Sequence, residues 1–122
     1  MTRRQRPEAN LQIAVVKMLS LQRIEGLAWT AVNPSPSKTP AVAALSRAMG
    51  MRAGWPDLTF IYQGRPFAIE LKASKGRLSD VQIGCQAYMR EAGCDVWTCD
   101  SIVAVLRVLR VYDVPIRATV MG

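Results

Sequence analysis

Histidine is absent from the 122 residues of this chain, and cysteine is scarce. Without histidine there is no Ser-His or Cys-His pair for nucleophilic catalysis and no histidine general base. The three cysteines, Cys85, Cys94 and Cys99, are odd in number and lack a paired C-x-x-C spacing. Neither a zinc knuckle nor a disulfide framework is therefore expected. Any hydrolysis by this chain must rely on carboxylates, lysine and a metal ion.

Long apolar runs are also missing, so no membrane-spanning segment is predicted. The N-terminal arginines Arg3, Arg4 and Arg6 are followed by an amphipathic pattern rather than the continuous apolar block of a signal peptide. We therefore expect a protein of the cytoplasm, or of whatever compartment holds nucleic acid, with no membrane partner.

Acidic residues are few: 9 Asp and Glu stand against 16 Lys and Arg, giving a formal net charge of +7. This excess predicts a polyanionic partner, because arginine forks bind phosphate groups in a bidentate manner. Half of the residues are hydrophobic, which predicts a folded globule in which residues 1–122 form one domain around one core.

Hydrophobic periodicity predicts alternating helices and strands. The first helix, over residues 8–24, has an apolar stripe at Leu11, Val15, Met18 and Leu19, widened by Ile13 and Val16. Further helices are predicted over 41–49, 80–92 and from 100 or 101 to 110, and strands over 27–32 and 94–98. Residues 33–40 are predicted as a loop, and the last dozen residues as either an edge strand or an oligomerisation arm.

The most informative segment lies between Asp57 and Lys72. Two short apolar runs flank residues 63–66, Gln-Gly-Arg-Pro, which predicts a β-hairpin. Glu70 and Lys72 are two residues apart in the second strand and so share one face. Clustered carboxylates repel each other unless a cation lies between them, and carboxylate oxygens are the ligands that Mg²⁺ and Mn²⁺ prefer. The segment therefore predicts a metal-dependent hydrolytic site.

In order and spacing, the chain resembles the VRR-NUC domains of the PD-(D/E)XK nuclease superfamily, known as stand-alone phage proteins and as the nuclease domain of the Fanconi-associated nuclease. The resemblance spans nearly the whole chain and rests on residues 6–8 (Arg-Pro-Glu), Asn33, 54–58 (Gly-Trp-Pro-Asp-Leu), 69–72 (Ile-Glu-Leu-Lys) and 76–82 (Gly-Arg-Leu-Ser-x-x-Gln). It implies an α/β fold with a restriction-endonuclease-like core of αβββαβ order, in which helices flank a central mixed β-sheet. A phage protein in the host cytoplasm is the localisation it implies.

The resemblance also implies roles for particular residues. Asp57, Glu70 and the backbone carbonyl of Leu71 would hold Mg²⁺ or Mn²⁺, and Lys72 would orient or deprotonate the attacking water. Glu8 would complete the acidic cluster directly or through a metal-bound water, and Gln82 would fix the water or Lys72 by a hydrogen bond. The expected phosphate contacts are Lys38, Arg47, Arg52, Lys75 and Arg77.

Simpler readings remain open for several of these residues. Glu8 would also serve as an ordinary first-turn acid that complements the helix dipole. Gln82 would fit a surface position, and Lys75 and Arg77 would fit a solvated loop.

Two functions from different classes follow from these patterns. The first is a metal-dependent DNA endonuclease that is selective for structures such as four-way junctions and acts as a homodimer, with the apolar segment Val103 to Val114 contributing to the dimer face. The second is a non-catalytic DNA-binding module of a larger phage or repair assembly. Structured RNA is a further possible polyanion, and no organic cofactor is expected.

Overall fold

The computed structural model of the chain describes residues 7–32 and 39–117. Eight elements follow one another along the chain: α1 (Pro7–Gln22), β1 (Leu27–Ala31), α2 (Pro40–Ala48), β2 (Leu58–Tyr62), β3 (Arg65–Leu71), α3 (Asp80–Glu91), β4 (Asp95–Cys99) and α4 (Ile102–Val111). The predicted α/β class is confirmed, with small shifts of the element bounds. Several predicted residues lie outside the described ranges: Arg3, Arg4, Arg6, Asn33 and Lys38.

The four strands form one mixed sheet in the order β1-β2-β3-β4. The pairs β1–β2 and β2–β3 are antiparallel, whereas the pair β3–β4 is parallel. A parallel pair needs a crossover connection, and α3 provides it between β3 and β4. The sheet therefore brings the start of β2 and the end of β3 to one edge.

The hairpin between β2 and β3 has a shorter turn than predicted. Gln63 and Gly64 both have positive φ angles, of 50° and 77°, and Tyr62 pairs directly with Arg65. This is the two-residue geometry that suits the twist of antiparallel strands. Arg65 and Pro66 already belong to β3, and the pairing of β3 with β4 starts only at Phe67. The missing N–H of Pro66 therefore interrupts no ladder with β4.

The larger core lies on the face of the sheet that α1 and α4 cover. Its buried side chains come from α1, from the strands and from α4, and they include Val15, Phe60, Phe67, Val105 and Leu109. A smaller cluster of Ala68, Cys85, Met89 and Val96 lies against α3. Because Phe67 and Ala68 are consecutive, the alternation of side chains along β3 supplies both clusters.

One expectation about the surface is wrong. Ile13 does not widen the core stripe of α1, since 67% of its surface is exposed. In the segment from Val103 to Val114 most apolar side chains, among them Leu106 and Val108, are buried in the chain's own core, whereas Val103 and Val111 are exposed. A contribution of this segment to a dimer face stays a prediction.

The residues that follow α4 form no strand up to Arg117, the last described position. Val114 is buried, and the Arg117 N–H donates a hydrogen bond of 3.1 Å to the side-chain oxygen of Gln22. This segment therefore packs back onto α1. The arm that was the alternative prediction falls partly on residues 118–122, outside the described range.

Among the helices in the described ranges, none has the length and apolar character needed to span a membrane.

Candidate metal and catalytic site

Asp57 and Glu70 meet at one edge of the sheet because of the register between β2 and β3. Leu58 pairs with Ile69, so Asp57 and Glu70 are the next cross-strand neighbours, and such neighbours share a face. The Asp57 carboxylate accepts a hydrogen bond of 2.7 Å from the Leu71 N–H. The Asp57 backbone N–H in turn donates to the Glu70 carboxylate. These two bonds tie the pair of acids together across the end of the hairpin.

Burial destabilises the ionised forms of these two carboxylates. Glu70 is only 4% exposed, and burial, followed by the charge of Asp57, raises its pKa from 4.5 to about 7. Burial also raises the pKa of Asp57; the hydrogen bond from Leu71 opposes this shift, and the charge of Glu8 adds to it. Lys72 lowers the pKa of both acids. The arrangement thus concentrates negative charge where solvent cannot screen it.

Gln82 holds Glu70 in place from the first turn of α3. Its side-chain NH₂ donates a hydrogen bond of 2.9 Å to the Glu70 carboxylate. Its oxygen accepts one of 2.9 Å from the Ser79 N–H, and the Ser79 hydroxyl accepts one of 3.1 Å from the Gln82 N–H. This capping box fixes the amide orientation. The described partner of the Gln82 amide is therefore Glu70, and its predicted hydrogen bond to the attacking water or to Lys72 stays a prediction.

Lys72 and Glu8 both lie near the two acids at the end of β3, and the charges of both act on Asp57. Lys72 follows β3 directly, and its N–H donates to the Cys99 carbonyl oxygen at 2.9 Å, so the strand pairing fixes its backbone. Glu8 reaches from the first turn of α1 and accepts a bond of 3.3 Å from the Ala73 N–H. Glu8 thereby anchors the loop after β3, and its predicted contact with metal or metal-bound water stays a prediction.

The predicted phosphate contacts that the structure describes all lie on exposed segments. Lys75 and Arg77 are exposed on the loop between Lys72 and α3, and Arg47 is exposed in the last turn of α2. Arg52 is exposed on the loop after α2, and its guanidinium carbon lies 3.6 Å from the centroid of the Tyr88 ring. Contact of these cations with nucleic acid stays a prediction.

Two residues beside the site were not assigned a role from the sequence. Gly54 has a φ of +83°, and a Cβ placed there would lie 2.6 Å from the Val81 carbonyl oxygen. Tyr88 contacts Arg52 across 36 residues of chain, which periodicity does not reveal. The signal for Gly54 was its place in the motif before Asp57, whereas the signal for Tyr88 was only an aromatic side chain on the polar face of a predicted helix.

The donor set suits a hard divalent cation that keeps water ligands. In residues 7–32 and 39–117, no three His, Cys, Asp or Glu side chains converge on one point. Two carboxylates and a backbone carbonyl are nevertheless sufficient, because Mg²⁺ is commonly bound by one or two carboxylates plus water. The pKa values of Glu70 and Asp57 are raised. A bound cation would stabilise the ionised forms of both carboxylates and so lower these pKa values.

Two solved structures are similar to this chain in fold. One, described as "VRR_NUC domain protein", has a TM-score of 0.66 at 21% sequence identity, with 88% of each chain covered. Another, described as "VRR_NUC domain", has a TM-score of 0.59 at 18% identity, with 87% of this chain and 97% of that chain covered. No family model and no curated protein matches the sequence.

Proposed function

Because the chain has the fold of VRR-NUC domains, we propose that it is a metal-dependent nuclease that hydrolyses DNA phosphodiester bonds. The observation that carries the proposal is the buried pair of Asp57 and Glu70, tied together at the end of the hairpin. The pair destabilises the protein unless a cation binds between the two acids. A catalytic role in a nuclease would account for the presence of such a destabilising pair.

The metal ligands in this proposal are Asp57, Glu70 and the backbone carbonyl of Leu71. In an extended strand the N–H and C=O of one residue point to the same side, and the Leu71 N–H points at Asp57. A Mg²⁺ or Mn²⁺ ion bound there would activate a water molecule and offset the charge of the scissile phosphate.

The other residues act on water and on the substrate. Lys72 shares the face of Glu70 and orients or deprotonates the attacking water, while its positive charge stabilises the developing charge on phosphorus. Gln82 holds the Glu70 carboxylate in its ligating orientation. Glu8 holds the loop that follows Lys72. Such fixed orientation of the ligands is what metal sites require from the residues around them.

The substrate we propose is branched DNA, of the four-way junction type, cut by in-line attack to leave a 5′-phosphate and a 3′-hydroxyl. The net charge of +7 and the exposed cations around the acids support a nucleic-acid backbone as the ligand. A homodimer would supply two sites for the two strands of a symmetric substrate.

The exposed apolar stripe of α2 is the surface best suited to the dimer contact. Val42, Leu45 and Met49 follow helical spacing and are 50%, 60% and 67% exposed. This helix buries none of its own residues, so its apolar side chains lie in solvent in the monomer. Covering them with a second copy would gain hydrophobic free energy without disturbing the core.

The second candidate is a DNA-binding module without catalysis. Its weakness lies in the same two residues, since acids facing a phosphate backbone reduce affinity unless a cation lies between them. The presence of Asp57, Glu70 and Lys72 together in this chain therefore favours the nuclease over the binding module.

The experiment is a cleavage assay on labelled four-way junction, flap, duplex and single-stranded DNA in Mg²⁺, in Mn²⁺ and in chelator. We expect metal-dependent cleavage by the wild type, loss of more than about 100-fold in Lys72→Ala, and no loss in the exposed control Lys17→Ala on α1. Symmetric cuts on the junction would support the dimer. DNA binding that is indifferent to chelator, with no cleavage of any substrate, would favour the binding module.

A further inference from the structure

Arg52 and Tyr88 form a stacked pair beside the acidic site. Arg52 lies on the loop after α2, and Tyr88 lies on the exposed side of α3. The guanidinium carbon is 3.6 Å from the ring centroid, which is van der Waals contact and well inside the range of a cation–π interaction. Both side chains are accessible to a ligand, because Tyr88 is 51% exposed and Arg52 is exposed.

The loop that bears Arg52 is itself fixed on α3. Gly54 approaches the backbone of Val81 and Gln82 so closely that no side chain fits there. The Trp55 side chain packs against the cluster of Cys85 and Met89 and donates a hydrogen bond of 3.1 Å to the Thr59 hydroxyl. Arg52 is therefore presented from a rigid support rather than from a mobile loop.

The same loop places Arg52 near the acids. Four residues separate Arg52 from Asp57 in the sequence, and the buried Cys85 thiol lies close enough to both the Arg52 guanidinium and the Glu70 carboxylate for the two charges to act on it. Burial raises the pKa of that thiol, the Arg52 charge lowers it, and the Glu70 charge raises it. Arg52 is thus a cation at the border of the proposed metal site.

Stacking leaves the hydrogen-bonding capacity of a guanidinium intact. The ring covers one flat face of the group, while its N–H donors point outward in the plane. A guanidinium held in this way loses less conformational entropy when it binds, and its in-plane donors match two oxygens of one phosphate.

We propose that Tyr88 is a positioning residue that holds Arg52 as a bidentate anchor for a backbone phosphate of DNA next to the Asp57–Glu70 pair. The inference rests on the proposed function for its substrate class. Beyond the proposed function, it assigns a role to Tyr88, which the reaction chemistry does not require. It also defines the geometry of one phosphate contact, that of Arg52.

The test is a double-mutant cycle on DNA binding, measured by fluorescence anisotropy with a labelled four-way junction in chelator, so that nothing is cut. Tyr88→Leu removes the ring, Arg52→Gln removes the cation, and Tyr88→Phe keeps the stack. We expect Kd to rise about 3- to 10-fold in Tyr88→Leu and in Arg52→Gln, with Tyr88→Phe within about twofold of the wild type.

Two further readouts separate positioning from a merely structural role. The double variant should bind no more weakly than Arg52→Gln alone, since the ring acts through the arginine. The slope of log Kd against log salt should fall by about one in Arg52→Gln. Arg107→Gln on α4, which covers the opposite face of the sheet, is the control for lost charge, and thermal melting checks that every variant is folded.

Additive losses in the double variant, or wild-type binding by folded Tyr88→Leu, would overturn the inference. A wild type that binds DNA without cutting it in any metal would overturn the nuclease proposal and leave this one standing. A wild type that binds no DNA in chelator and neither binds nor cuts it in Mg²⁺ would overturn both.

Discussion

The burial of the Glu70 carboxylate indicates that this site binds a ligand. Its carboxylate is almost completely buried beside Asp57, yet it has only Gln82 and one backbone N–H as described donors. Natural cores rarely contain such a group unless it binds something, because an apolar residue of similar size would be more stable there.

The first prediction concerns the pH dependence of stability in the metal-free protein. The pKa of Glu70 is 4.5 ordinarily and about 7 in the fold, so between these values the folded state binds more protons than the unfolded state. The free energy of unfolding should therefore fall as pH rises from 4.5 to 7, by about 3 kcal/mol for this group. Asp57, whose pKa is also raised, adds to the same trend.

Urea unfolding at a series of pH values, in chelator, measures this trend. Repeating the series with saturating Mn²⁺ should remove most of it, because the cation replaces the proton between the acids. A stability that rises over the same pH window without metal would contradict the burial of the pair.

At this scale the sequence predicted the candidate catalytic residues but not their hydrogen-bond partners. Asp57, Glu70 and Lys72 follow from motif and spacing. The bond from Gln82 to Glu70 depends on where the first turn of α3 lies against the sheet, and that position is set by tertiary packing. The exposure of Ile13 has the same origin, since seven large apolar side chains on α1 exceed what one face of a helix can bury.

Among the elements, the loop from Gly50 to Asp57 links α2, α3 and the proposed metal site. Gly54 lies where a Cβ would contact the Val81 backbone, whereas Gly50 has a similar φ of +91° with nothing within 4 Å. The two glycines thus share a backbone conformation and differ in their surroundings.

The second prediction compares alanine at these two positions. Gly50→Ala introduces only the strain of an alanine in a left-handed backbone conformation and should lower the free energy of unfolding by about 1 kcal/mol. Gly54→Ala adds the steric conflict and should lower it by about 2 to 4 kcal/mol, with a further loss of activity because the loop moves away from α3. Chemical denaturation of both variants measures the difference, and equal losses would show that the loop does not press on α3.

α2 is a well-formed helix that contributes no buried side chain to the core. Thr39 caps it, with its hydroxyl accepting from the Val42 N–H at 3.1 Å, and Pro40 occupies the first turn. The helix predicted over 41–49 is confirmed, although Pro40, predicted as the end of the preceding loop, is its first residue. The sequence signals gave no information on whether its apolar side would face the core.

The third prediction uses this helix to test the dimer. Leu45→Glu should change the free energy of unfolding of the monomer by no more than about 0.5 kcal/mol, since Leu45 is exposed there. In sedimentation velocity the same substitution should convert the dimer to monomer. Val103→Glu on α4, at a similarly exposed position, should leave the dimer intact. Dissociation by Val103→Glu alone would assign the contact to α4 instead.

For the whole molecule, the mixed sheet explains why distant parts of the sequence act together. The antiparallel hairpin brings Asp57 and Glu70 side by side, the parallel crossover brings the start of α3 to the same edge, and α1 reaches that edge with Glu8. The order of elements and the hairpin were predictable from periodicity and motif. The parallel pairing of β4 with β3 was not, because strand partners depend on long-range contacts.

The central claim is that this edge of the sheet is maintained for metal-dependent catalysis at a cost in stability. Glu70→Gln tests it most directly, because glutamine keeps the shape and an acceptor for Gln82 but removes the buried charge. We predict that at pH 8 in chelator the variant is more stable than the wild type by about 1 to 3 kcal/mol, with a difference below about 0.5 kcal/mol at pH 4. In Mg²⁺ it should cleave DNA at least about 100-fold more slowly. A variant that is no more stable at pH 8, or that still cleaves at the wild-type rate, would contradict the account.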